Sequence, residues 1–267
     1  PLVLIRGLSR SSAYWFDFRD LLEQQRRVLV LDSGRYRNDA ATHMHNVVTH
    51  DGTPPADFRT LAREQVAAYP TATVWEDTVV SVAARDDGYA VVLDDPDGTV
   101  LRTRGLVLAT GMRDVLPDVP GVAELWGDLV VHCPFCLVLE FAGQQVAVLI
   151  VGGTQSAGHL PAILGPVVAG TTVLTDGAEA PVVPEGVTVR TEPVVGLVRS
   201  GSGVRVELAG GPPVEVAGVY VTTQLRQAAP FAEQLGLAVL PSGAVEVDVM
   251  GRTSLPRVHA AGDMAHV

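Results

Sequence analysis

The sequence predicts an α/β protein containing two Rossmann-like units. Three observations predict it. Apolar strand-like runs recur at Arg27–Leu31, Leu106–Ala109 and Gln145–Val151, too short to cross a bilayer and suited to parallel strands buried on both faces. An acidic residue, Asp32, closes the second strand, where a nucleotide-binding βαβ unit places its ribose acceptor. A second strand–glycine–helix start, Gln145–Ala157, follows in the latter half of the chain.

Taken in order, Pro1–Ile5 reads as a strand, Ser11–Gln25 as an amphipathic helix and Arg27–Leu31 as a second strand. The turn between the first strand and the helix is Arg6-Gly7-Leu8-Ser9-Arg10-Ser11. A dinucleotide pyrophosphate needs G-x-G-x-x-G there, because each glycine removes a side chain from its path. Each charge-assisted hydrogen bond lost at such a turn removes roughly 1.5–3 kcal/mol. Two losses therefore weaken a bound dinucleotide by about two to four decades, so this turn weighs against a cofactor there. Residues 33–53 read as a polar loop and Pro54–Ala68 as a helix. Val74–Ala83, Tyr89–Leu93 and Thr99–Leu108 are strand-like, broken at Asp86-Asp87-Gly88 and Asp95-Pro96-Asp97-Gly98. The last of them leads into Ala109-Thr110-Gly111, a small close-approach turn at the sheet's C-terminal edge, and Arg113–Gly121 reads as a linker.

The second start is written G-x-T-x-x-A: Gly152 is kept, Thr154 replaces the middle glycine and Ala157 the last. A helix to about Val168 and a strand at Thr171–Leu174 follow. Thr175-Asp176-Gly177 then carries no arginine cluster for a 2′-phosphate, so NADPH is not indicated. Val187–Val195, Gly203–Leu208 and Val214–Val221 read as an antiparallel excursion, Gln224–Gly236 as a helix and Val245–Val249 as a strand.

Composition excludes several functions. The formal net charge of −11 argues against nucleic acid as a partner. All 19 cationic residues are arginine, which removes Schiff-base and P-loop lysine chemistry. No apolar run is long enough to span a membrane and no signal-peptide pattern is present, so a cytoplasmic location is expected. Two cysteines cannot alone build a tetrahedral zinc site, and His43 with His45 lack a third ligand; no metal is expected.

The two cysteines lie in His132-Cys133-Pro134-Phe135-Cys136. Two thiols three positions apart can close a small disulfide ring, and a helix starting at the first would lower its pKa through the helix dipole. Two buried structural thiols are the alternative.

The chain resembles the thioredoxin-reductase-like flavoproteins, and within them the small-molecule dithiol oxidases of holomycin- and gliotoxin-type natural products. Leu31–Asn38 (LDSGRYRN), Ala41–Pro55 (ATHMHNVVTHDGTPP), Leu106–Gly111 (LVLATG), His132–Cys136 and Gly251–Asp263 (GRTSLPRVHAAGD) carry the resemblance. It implies two three-layer (ββα/βαβ) domains of the thioredoxin reductase type, the second inserted in the first. An FAD-binding-like domain would span 1–118 and 238–267, and a NAD(P)-binding-like domain carrying the cysteines 119–237. It implies that Asp32 binds the FAD ribose, that Gly262 and Asp263 meet the ribityl-phosphate region, and that Thr110 and Gly111 line the cofactor. It further implies that Cys136 faces the flavin, that Cys133 exchanges with a small-molecule substrate, and that the protein is a homodimer. The reaction implied is dithiol/disulfide oxidoreduction, with electrons passing through the disulfide to the flavin and, in the oxidases, to oxygen. The glycine-poor turn supports an alternative: a flavin-free member catalysing a cyclisation, elimination or isomerisation. In it His132, His43, His45, Asp263 or a cysteine thiolate would be the acid or base.

Overall fold

The computed structural model describes residues 2–6, 27–151 and 159–265. The expected helix at Ser11–Gln25, the Gly7–Ser11 part of the first turn, and Gly152, Thr154 and Ala157 of the second lie outside the described residues. The chain divides into two compact units, one of residues 1–37, 59–114 and 225–267 and the other of residues 38–58 and 115–224. The second unit thus runs from 115 to 224 and takes in the loop 38–58, while residues 225–237 fall in the first.

The first unit is built on a five-stranded sheet in the order Val258–Ala260, Gly105–Ala109, Leu2–Arg6, Val28–Asp32, Ala72–Glu76. Every neighbour pair is parallel. Strand order reverses at Leu2–Arg6, and ligands bind beyond the carboxyl ends of the strands at such a switch point. Leu31, Leu106, Leu108, Val258 and Ala260 sit in its core, shielded from water by 1% exposure or less. The run expected as one strand over Val74–Ala83 is two strands. Ala72–Glu76 closes the parallel sheet, whereas Val79–Arg85 starts a three-stranded antiparallel sheet with Gly88–Leu93 and Val100–Thr103.

The second unit repeats the plan. Its parallel sheet runs Thr188–Arg190, Gly170–Leu174, Gln145–Leu149, Gly218–Val221, Val130–Val131. Residues 194–200, 203–208 and 214–216 form the accompanying antiparallel sheet. Val146, Ala147, Val148 and Leu149 are wholly buried, which is why that strand reads as an unbroken apolar run.

Other expected elements differ too: Thr99–Leu108, Val187–Val195 and Val214–Val221 each divide into two strands of different sheets. Arg113–Gly121 is not a linker throughout, since Met112–Val115 is a strand pairing with Gln224–Gln227. Gln224–Gly236 is accordingly not one helix: it opens with that strand and keeps only a turn of helix, Phe231–Gln234. Pro230 explains the break, because the residue before proline is pushed out of the helical region. Val245–Val249 forms no ladder; Val245 makes an isolated bridge to Val239 and donates its N–H to Met264 O at 2.7 Å. Among the described residues no helix is long and apolar enough to cross a membrane.

Candidate active site

In the second unit Cys133 and Cys136 form a disulfide, with Cα atoms 5.4 Å apart, inside the range such bridges require. Cys133 follows the short strand Val130–Val131 and caps a single helical turn, Pro134–Leu137, with Pro134 in its first turn. Proline suits that place because its fixed φ and missing N–H cost nothing there. The expected dipole effect is small, since one turn aligns few peptide units. Cys133 is buried at 6% exposure, while Cys136 is half-buried. His132 stacks on Trp126 with ring centroids 5.6 Å apart.

The histidine-rich segment reaches the same turn. Residues 44–53 form a compact loop: Met44 N–H donates to Thr53 O, Gly52 N–H to Met44 O, and Asn46 N–H to Asp51 Oδ1 at 2.8 Å. Asn46 takes a left-handed φ of 63°, a conformation asparagine tolerates better than most residues. The loop meets the cysteine turn at two points. Asn46 Nδ2 donates to the carbonyl of Phe135, between the two cysteines. His45 lies between Asp51 (Nδ1 to Oδ2, 3.4 Å) and Glu140 (Nε2 to Oε1, 3.3 Å), and His43 Nδ1 is 3.9 Å from that same Glu140 oxygen. Among the described residues no group of three ligating side chains could hold a metal. Glu140 and Asn46 carried no assignment in the sequence; a contact spanning 89 or 95 positions has no local signature.

The first unit gathers the expected cofactor residues at the carboxyl ends of its strands. Asp32 ends Val28–Asp32 and is 2% exposed. Its Oδ1 accepts from Gly34 N–H at 3.1 Å, and its Oδ2 from the Tyr36 hydroxyl at 2.9 Å and Arg63 Nη2 at 2.8 Å. Burial pushes its carboxyl up, but these donors and the Arg63 charge outweigh it and hold the pKa below the usual aspartate value. The Arg59 guanidinium lies 3.9 Å above the Tyr36 ring. Beside Asp32 is a cavity of about 430 Å³, lined by Tyr36, Arg63, Glu76, Asp77 and Asp94 among others.

Thr110 and Gly111 follow Gly105–Ala109; the Thr110 hydroxyl meets Met264 Sδ at 3.6 Å, and Gly111 takes φ 73°. Gly262, at φ 73°, opens the 3₁₀ turn Gly262–Met264 that carries Asp263. Arg37 fastens that turn, donating Nε and Nη2 to Asp114 at 2.6 and 2.8 Å and Nη1 to Asp263 at 3.0 Å. Gln227 Nε2 donates to Gly243 O and Met264 O, and its buried Oε1 has no partner among the described residues. These features fit a dinucleotide. Asp32 is a buried acceptor beside a cavity, a Cβ added at Gly111 would meet nothing within 4 Å, and the orphaned Gln227 oxygen suits a ligand N–H. Arg37, Asp114, Gln227 and Arg63 went unassigned in the sequence.

Fold and site together define a two-unit dinucleotide-fold protein with a redox-type cysteine pair. The pyridine nucleotide-disulphide oxidoreductase family model matches residues 18–267, and the chain belongs to that family. It is 39% identical to a thioredoxin reductase of Claviceps purpurea over 147 residues, 55% of this chain and 44% of that protein. It is 30% identical to a thioredoxin reductase of Leptosphaeria maculans over 262 residues, covering 90% of this chain and 80% of that one. The crystal structure of an oxidoreductase from Agrobacterium tumefaciens superposes with a TM-score of 0.86 at 28% identity, over 99% of this chain and 90% of that one. The thioredoxin-reductase-like resemblance and fold read from the sequence are thus borne out. The chain spans half or less of the length of several curated relatives that it matches.

Proposed function

We propose that the protein is an FAD-dependent dithiol/disulfide oxidoreductase acting on a small molecule. The Cys133–Cys136 disulfide, held in a clamped turn, carries the reading. In the step proposed, a substrate thiolate attacks Cys133 Sγ and the Cys133–Cys136 bond breaks, leaving Cys136 as thiolate. The second substrate thiolate then attacks the mixed disulfide, releasing the substrate as its disulfide and Cys133 as thiolate. Two electrons have moved from substrate to enzyme. His132, next to Cys133 and stacked on Trp126, would take up a thiol proton.

FAD, when bound, supplies the two-electron acceptor that re-forms the disulfide and passes the electrons to oxygen. Asp32 would hold its ribose, Thr110 and Gly111 would line it, and Gly262–Asp263, steadied by Arg37, would meet the ribityl-phosphate region. NADPH is not part of the proposal. The Asp176 carboxylate would repel a 2′-phosphate, and the neighbouring Arg190 is paired with Glu192. By the same resemblance the protein would act as a homodimer in the cytoplasm.

A flavin-free, non-redox enzyme is the second reading, favoured by the glycine-poor turn after the first strand and by an Asp32 already occupied by three donors. The absorbance spectrum of the purified protein before and after FAD addition decides between them. Flavin bands, together with a Cys136→Ser variant that stays yellow but loses dithiol oxidation, support the first. Turnover that persists in flavin-free protein and fails in His132→Ala supports the second.

A further inference from the structure

The groups that hold Asp32 are the ones a ribose would have to displace. A carboxylate oxygen offers two lone-pair sites. Tyr36 and Arg63 fill both on Oδ2, and Gly34 takes one on Oδ1. Counting donors among the described residues, one site remains, whereas a ribose diol brings two hydroxyls. Seating both on Asp32 means that one present donor must leave.

Arg63 is the donor able to go. Gly34 donates from the backbone. Tyr36 is pinned by Arg59 above its ring and by Arg63 Nη2 donating to its oxygen at 2.7 Å. Arg63 keeps 29% of its side chain in water, against 3% for Asp32. It already has a second carboxylate, since Nη1 donates to Glu76. Glu76 is the cross-strand partner of Asp32 in the parallel sheet, so the two acceptors lie side by side. Arg63 Nε is buried without an acceptor among the described residues, so the bridging pose leaves a donor unmet and is easier to abandon than a saturated pair.

We propose that Arg63 is a displaceable plug on the ribose site, leaving Asp32 and transferring to Glu76 when the ribose diol of FAD binds. This rests on the flavin reading above and adds a residue that sets cofactor affinity. It also narrows the ligand. Among the described residues lining the cavity Arg63 is the one cation, beside Glu76, Asp77 and Asp94. With Arg63 turned onto Glu76, the acidic rim disfavours a phosphate on the ribose and accepts the bare diol.

The test is FAD titration by flavin fluorescence on flavin-stripped wild type, Arg63→Met and Glu76→Gln, with circular dichroism confirming each fold. Arg63→Met is expected to bind about tenfold more tightly, because one charge-assisted bond is no longer surrendered. Glu76→Gln, whose side chain is 76% exposed, is expected to bind severalfold more weakly, because the displaced guanidinium loses its charged acceptor. Unchanged affinity in Glu76→Gln means that Arg63 stays on Asp32 as ribose binds, and tighter binding means that it serves the diphosphate; either result overturns the proposal. So does weaker or unchanged binding by a folded Arg63→Met. In those cases wild type still binds FAD and the cofactor reading stands. Failure of all three proteins to bind FAD overturns both. Should Arg63→Met not fold, Glu76→Gln decides alone.

Discussion

Replacing Arg37 by methionine tests whether the Asp263 turn is held by a buried clamp or merely decorated by a surface ion pair. Arg37 makes three charge-assisted hydrogen bonds, two to Asp114 and one to Asp263. The Asp114 side chain is 5% exposed, whereas Arg37 and Asp263 keep about a fifth of theirs in water. Three such bonds taken singly, at roughly 1.5–3 kcal/mol each, would total more than any one residue supplies, because bonds of one guanidinium are not additive. Removing one partner of a buried pair costs about 3–5 kcal/mol, chiefly because the other charge is left unpaired. Partial exposure of Arg37 and Asp263 places Arg37→Met at the lower end, about 3 kcal/mol, or roughly a hundredfold in the folding constant. Urea unfolding with a fixed m-value reads this directly. Arg37→Met with Asp114→Asn should recover about half, since the orphaned charge is gone. A loss under about 0.5 kcal/mol, typical of surface pairs, would refute the clamp.

Other expectations follow from single residues. Tyr220 is wholly buried, its hydroxyl has no partner among the described residues, and it meets Phe141 edge-on at 6.0 Å; Tyr220→Phe should stabilise by about 1 kcal/mol in urea unfolding, and a loss would reveal a further partner. A Cβ on Gly218 would fall 2.3 Å from the buried Phe141 ring, so Gly218→Ala should destabilise by about 2 kcal/mol. Despite burial, its three donors hold the Asp32 carboxyl below the usual aspartate value in the folded protein. Its charge therefore contributes stability fully present above that value and lost as pH falls through the lower, folded one. Asp32→Asn should flatten this part of the acid limb in a pH series of unfolding curves.

Much of the fold was legible because parallel strands buried on both faces leave continuous apolar runs. Val28–Asp32, Gly105–Ala109 and Gln145–Leu149 are examples. Elements set by tertiary pairing were not. Gln224–Gln227 becomes a strand only because Met112–Val115 lies beside it, and Val245 is fixed by Met264 rather than by a ladder. At the site, Asp32 and the cysteine pair announced themselves through position and spacing. Arg37 with Asp263, 226 positions apart, and His45 with Glu140, 95 apart, are contacts that only folding creates. Arg63 lies on the helix Pro55–Ala67, where one arginine reads like any other in the sequence.

The central claim is that the Cys133–Cys136 disulfide passes electrons to a flavin. Anaerobic addition of a small dithiol to the FAD-loaded protein, followed at the flavin absorbance band, tests it most directly. Wild type should bleach stoichiometrically and recover its colour on admitting air, while Cys136→Ser holds FAD without bleaching. Bleaching of Cys136→Ser at the wild-type rate, or a wild type that takes up no FAD, would contradict the account.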